Sequence, residues 1–381
     1  MNRIQQEQYD SLRGLIAARV SDYKAAALRQ FRVWEGTQQP EGELPLLLHV
    51  SSPEPYASFI RYTPSEVHYD KDKMLLNGML DMAGVTLAEM QAVPSIRANM
   101  GCGILPSMFP GIKARLFDDA KMPWIVDHLS KERIAGLDDG DIGITDEFKL
   151  ALEHIANIAE KIEGTGAYVY PLDIQGPFDI AHLVYGDPIF YDLYDDPPFI
   201  RHLMDLSCVA IEKGFDECLK LIPHSDEIVT HYNSLAIPRS LGGIKLSEDT
   251  STLICDEHLD EYVMPSSIRV LKHAGGGYIH YCGKHEGLFK RFLDVPEVCG
   301  INFGNPDFHD MDDILRRVAN AGKVYYGTSC PKNGESRADY FARSIRAATG
   351  EDGICRLLLQ CGAPYDERDA VRADWESAAS I

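Results

Sequence analysis

The residues best equipped for chemistry lie in Gly277-Tyr278-Ile279-His280-Tyr281-Cys282-Gly283. The pattern is a short apolar strand bounded by glycines. Side chains two apart on a strand share a face, so His280 and Cys282 point the same way where the strand ends. An imidazole and a thiolate held side by side make half of a zinc site. The segment Leu357-Leu358-Leu359-Gln360-Cys361-Gly362 repeats the order of apolar run, Cys and Gly, which makes Cys361 the candidate third ligand. Cys330, in a Ser-Cys-Pro turn, and Cys355, at a strand start, are less well placed. The competing reading is a hydrogen-bonded core histidine beside an inert thiol, and residue types alone leave both open.

Other polar clusters follow apolar runs in the same way. Ala167-Tyr168-Val169-Tyr170-Pro171 reads as a strand that leads into Leu172-Asp173-Ile174-Gln175-Gly176-Pro177-Phe178-Asp179. Asp173 and Gln175 are two apart and are candidates for the wall of a binding pocket, although Asp173 also suits a helix cap. Glu227-Ile228-Val229-Thr230 opens into His231-Tyr232-Asn233-Ser234, which adds His231, Tyr232 and Asn233 to that wall. Ile244-Lys245-Leu246-Ser247 is followed by the carboxylates Glu248 and Asp249 ahead of a helix from about Asp256 to Ala274. Acidic residues near a helix start also have an electrostatic explanation in the helix dipole. Cys102, between Gly101 and Gly103, marks a sharp turn or a close backbone approach.

The elements that must position these groups alternate strand and helix from Ala167 onward, with no hairpin signals, as a parallel sheet requires. Apolar spacing over Gln5–Trp34 predicts one or two amphipathic helices, and Leu44–Val50 predicts the first strand. Further helices are expected over Phe148–Ile162, Pro198–Ile222, Asp310–Ala321 and Arg337–Thr349. No nucleotide-binding glycine fingerprint occurs, because Gly275-Gly276-Gly277 precedes a strand instead of following one.

The 381 residues are 45% hydrophobic and 25% charged, enough for a large core, and no Gly/Ser- or Pro-rich linker divides them. A net charge of -21 argues against nucleic acid and anionic membranes as partners. No apolar run reaches the length of a membrane span, and the first residues show no apolar signal region. The nine cysteines have no regular spacing, so a reducing cytoplasm with free thiols or metal ligands is expected.

Three segments resemble the uroporphyrinogen decarboxylase superfamily, and within it the zinc-dependent, corrinoid-linked methyltransferase branch. They are Asp173–Asp179, Ser247-Glu248-Asp249-Thr250-Ser251, and His280-Tyr281-Cys282-Gly283 together with Gln360-Cys361-Gly362. In those methyltransferases an H-x-C pair and a cysteine at a similar distance bind zinc; here Cys361 follows Cys282 by 79 residues. The resemblance runs from about Pro94 to Ile381. It implies a (β/α)8 TIM barrel (41–381) behind an N-terminal helical extension (1–40), with His280, Cys282 and Cys361 on Zn2+. Glu248 and Asp249 would act as a further ligand or an orienting group. The corrinoid (cobalamin) would arrive on a separate carrier protein, since no D-x-H-x-x-G cobalamin module is present. The implied reaction moves a methyl group between that carrier and a thiol, methyl ether, methylamine or folate. The alternative is a metal-free decarboxylase of a tetrapyrrole or related acid, although the arginine-rich R-Q-A-G-R type stretch of that enzyme is missing. A homodimer is compatible with the sequence, which names neither the methyl donor nor the direction of transfer.

Overall fold

The computed structural model describes residues 1–37, 43–117, 121–231 and 234–380. Its centre is a six-stranded parallel sheet built from β1 (Leu46–Val50), β6 (Ile244–Ser247), β7 (Gly277–Tyr281), β8 (Val298–Phe303), β9 (Val324–Gly327) and β10 (Leu357–Ala363). The spatial order is β1-β10-β9-β8-β7-β6, so the first strand lies beside the last. Two shorter strands, β2 (Ser95–Arg97) and β3 (Tyr168–Tyr170), pair in parallel with each other. A single parallel bridge from Gln175 to Ser247 connects the end of β3 to β6. The strands are almost wholly buried, which explains their near-continuous Leu, Ile, Val and Tyr runs; a sheet covered on both faces leaves no room for polar alternation.

Register decides which side chains meet. Ser247 lies opposite His280, and His280 opposite Asn302, so three neighbouring strands end at one level. Glu248, Asp249 and Cys282 follow immediately beyond that level.

The amino-terminal segment forms two helices, α1 (Arg3–Ala17) and α2 (Val20–Trp34). Asn2 and Gln5 close a capping box at the start of α1, which satisfies backbone donors that the helix itself cannot. The boundary expected between 40 and 41 falls outside the described residues. Trp34 Nε1 donates to the Ala236 carbonyl at 2.9 Å, and its ring centroid lies 6.4 Å from that of Tyr278. Gln30 accepts from Ala236 N at 2.7 Å and donates to the carbonyls of Gln91 (2.7 Å) and Ser234 (3.2 Å).

Two features differ from the sequence expectation. The stretch after Glu227 is an antiparallel hairpin, β4 (Ile228–His231) and β5 (Leu235–Pro238), not a strand feeding a helix. Ser234 takes a left-handed conformation (φ 66) that lets the chain reverse. The helix expected over Asp256–Ala274 is interrupted by one π-helical turn, Leu259–Val263, just ahead of Pro265. Proline has no N–H to donate and crowds the preceding turn, so the regular ladder cannot run through it. All nine cysteines are free thiols, and among the described residues no helix is long and apolar enough to cross a membrane.

Candidate functional site

The structure brings Asp249, His280 and Cys282 together, with one ligand-type atom of each lying within 4.8 Å of the others. Cys282 Sγ is 3.8 Å from His280 Nε2, and Asp249 Oδ1 is 4.0 Å from the same nitrogen. Asp249 Oδ1 also accepts the Cys282 backbone N–H at 2.5 Å, which fixes the loop beyond β7 against the loop beyond β6.

The tautomer of His280 follows from its neighbours. Asn302 Nδ2 donates to the Tyr326 carbonyl at 2.5 Å, so the amide oxygen faces the imidazole, and His280 Nδ1–H donates to it at 2.5 Å. With Nδ1 protonated, the lone pair sits on Nε2, the atom turned toward Cys282 and Asp249. Burial, reinforced by the Lys245 ammonium, pushes the imidazole below its ordinary value and keeps it neutral. Burial first, then Asp249, pushes the Cys282 thiol up to about 11. A carboxylate, a neutral imidazole nitrogen and a thiol whose proton a cation would displace form a donor set suited to zinc, so these residues fit that metal. Gly304 leaves space for the sulfur: a methyl group there would overlap Cys282 Sγ.

Two carboxylates behind the cluster are almost fully enclosed. Asp179 accepts the backbone N–H groups of Asp249 (3.0 Å) and Thr250 (2.7 Å), and so sets the direction in which Asp249 leaves the sheet. Burial, then Glu248 and Asp249, raises its carboxyl above the usual range. Glu248 accepts from Ser251 Oγ (2.7 Å) and Ser267 Oγ (2.5 Å), and burial pushes it up to about 7. Glu248 packs against Gly176, where a Cβ would overlap the carboxylate.

Beside His280 opens a cavity of about 470 Å³, its wall including Tyr170, Tyr278, Asn302 and Gln360. Asp173 lies in it, paired with Lys245 and, at 3.4 Å, with Arg97. Burial opposes ionisation of Asp173, but the two cations outweigh it and hold the carboxyl well below the usual range.

The remaining expected site residues are placed as follows. Gln175 is 7% exposed and pairs through its backbone with Ser247. His231 is fully buried behind the cavity wall, its ring 5.2 Å from those of both Tyr170 and Tyr278, with Nε2–H donating to Gly243 O at 2.5 Å. Tyr232 and Asn233 fall outside the described residues. Cys361 is not part of the cluster. Gln360 lines the cavity, and adjacent strand residues face opposite ways, so Cys361 turns outward, within electrostatic reach of Arg337. Its sheet partner Leu48 turns outward likewise, because the next residue, His49, lines an interior cavity.

Arg97, Lys245 and Asn302 were missed from sequence. Lys245 and Asn302 each interrupt an apolar strand at a position that alternation turns inward, a signal that was present.

His231 supplies a pH dependence. Burial drives its imidazole down to about 3, with Lys245 adding to the effect and Asp173 and the bond to Gly243 opposing it. The unfolded chain takes up that proton near the ordinary value while the folded chain does not. Its contribution is therefore complete above the ordinary histidine range and is lost as pH falls from there toward 3, at up to about 1.4 kcal/mol per pH unit. Urea melts between pH 7 and pH 5 are expected to show a shallower decline for His231→Phe than for wild type. Equal slopes would assign the proton uptake to other groups.

No protein-family model and no curated protein matches the sequence. Among solved structures the chain shares its fold with a methyltransferase from Methanosarcina mazei. The two align with a TM-score of 0.63 at 13% identity, over 92% of this chain and 98% of that one. A GH138 enzyme targeting pectin rhamnogalacturonan II aligns with a TM-score of 0.34 at 12% identity, over 88% of this chain and 38% of that one, too distant to bear on the site.

Proposed function

We propose that the chain is a zinc-dependent methyltransferase that moves a methyl group between a corrinoid on a separate carrier protein and a small-molecule donor or acceptor. The observation that carries this reading is the convergence of Asp249, His280 and Cys282 where three parallel strands end, beside a cavity. The likeness in fold to the Methanosarcina mazei methyltransferase supports it. In the same reading β1, β2, β3, β6, β7, β8, β9 and β10 are the eight strands of a (β/α)8 barrel. Residues 1–40 are its helical extension and the cytoplasm is its compartment.

Zinc, when bound, supplies a Lewis acid and holds a thiol as thiolate near neutral pH. His280 offers Nε2, Cys282 its sulfur and Asp249 a carboxylate oxygen. Asn302 orients the imidazole, and the aromatic wall of Tyr170 and Tyr278 keeps water from the reacting groups. The Arg97–Lys245 pair favours a second reading, a metal-free decarboxylase, because such an enzyme needs cations in its pocket.

Elemental analysis of wild type beside His280→Ala, Cys282→Ser, Asp249→Ala and Cys361→Ser tests the first reading. About one zinc per chain is expected in wild type and in Cys361→Ser, with the metal lost in the other three variants. Loss in Cys361→Ser with retention in Asp249→Ala would transfer the third position to Cys361, the ligand the resemblance implies. No metal in zinc-supplemented wild type would overturn the methyltransferase and leave the decarboxylase.

A further inference from the structure

The backbone that carries the Cys282 sulfur is not held by local sterics. Gly283, the next residue, has φ 88, in the left-handed region that favours glycine. A glycine reaches either sign of φ with little penalty, so hydrogen bonds must fix its conformation. Asp249 accepts the Cys282 N–H, but that carboxylate is itself one of the three zinc donors proposed above. The remaining ties come from the loop after β8, Gly304–Asp310.

The parallel ladder between β7 and β8 ends where Gly304 N–H donates to the Tyr281 carbonyl at 3.0 Å. Beyond that point side chains take over from the ladder. Asn305 Oδ1 accepts the Gly283 N–H at 3.0 Å, and His309 Nε2–H donates to the Gly283 carbonyl at 3.1 Å. Both backbone polar groups of one residue are thus held from a single loop. That loop is closed by a 3-10 turn, Pro306–Phe308. The His309 ring stacks on Phe303, with centroids 4.1 Å apart and planes 11° from parallel. Phe303 is buried and lines the cavity beside His280, so the clasp is anchored in the core.

The structure assigns Asn305 and His309 as positioning residues for Cys282: by gripping Gly283 at both its N–H and its carbonyl they aim the sulfur at His280 Nε2, 3.8 Å away. Neither residue belongs to the donor cluster. The assignment deepens the zinc reading and rests on it for the metal, though not for the aim of the thiol. Partners that orient a ligand without touching the ion carry about 10- to 100-fold in metal affinity.

Nitrogen NMR of the metal-free protein, beside zinc competition against a chelator, tests this. His309→Phe keeps a ring to stack on Phe303 and removes the donor. The His280 Nε2 resonance is expected to move from its wild-type position toward that in Cys282→Ala, and zinc affinity to fall about tenfold. Asn305→Ala is expected to do the same, and it carries the test if His309→Phe fails to fold. Asn305→Asp keeps an acceptor for Gly283 and is expected to hold the resonance at its wild-type position. A resonance unmoved in both His309→Phe and Asn305→Ala would overturn the proposal, as would zinc affinity unchanged in both. Wild type that takes up no zinc would overturn the metal reading, with the positioning role then judged by the resonance alone.

Discussion

Asn302→Leu is expected to lower zinc affinity by about 10- to 100-fold without removing any ligand. The amide holds His280 Nδ1–H at one end and the Tyr326 carbonyl at the other. Leucine nearly preserves the volume but frees the imidazole to rotate and to move its proton to Nε2, the nitrogen the metal needs. The Tyr326 carbonyl loses its donor as well, at a cost of about 1–3 kcal/mol in stability. Competition against a chelator gives the affinity, and nitrogen NMR of the metal-free imidazole gives the tautomer. Unchanged affinity together with an unchanged tautomer would mean that the backbone, not Asn302, orients the ring.

Asp179→Ala is expected to destabilise the fold by about 2–5 kcal/mol, whereas Asp179→Asn costs about 1–2 kcal/mol. Alanine strands the N–H groups of Asp249 and Thr250, which the carboxyl now accepts. Asparagine keeps one acceptor oxygen and so retains one of the two bonds, while its NH2 faces the other N–H. It is also the closer mimic of a carboxyl that burial, Glu248 and Asp249 drive toward its neutral form. Urea denaturation at pH 7 separates the two variants. If asparagine proves as damaging as alanine, the negative charge itself supports the turn, and the direction argued from burial is wrong.

The strands of the central sheet were legible because buried parallel strands are written as apolar runs. His280 and Cys282 were legible because alternation is a strict rule. The same rule, applied to Gln360 and Cys361, separates the third expected ligand from the cluster, but only once Gln360 is known to face inward. Asp249 was legible as a carboxylate after a strand, yet its approach to His280 depends on the register of β6 against β7, which no local pattern encodes. The hairpin was hidden because His231-Tyr232-Asn233-Ser234 reads equally well as a loop after a parallel strand and as a reversal. His231 looked like a wall residue from its place after a strand, while its burial behind Tyr170 and Tyr278 is a tertiary fact.

The placement of the first helices has a consequence for how the chain becomes structured. Gln30 and Trp34 find their partners at Ser234 and Ala236, 204 and 202 residues further on, and Trp375 caps the Leu44 carbonyl across 331 residues. During synthesis α2 and β1 leave the ribosome long before their partners at Ala236 and in β10 exist. Such non-local closure slows folding and leaves apolar surface open to association. The nascent amino-terminal third is thus a natural client for chaperones, and the Tyr278 wall acquires its Trp34 neighbour only after the chain has returned to where it began.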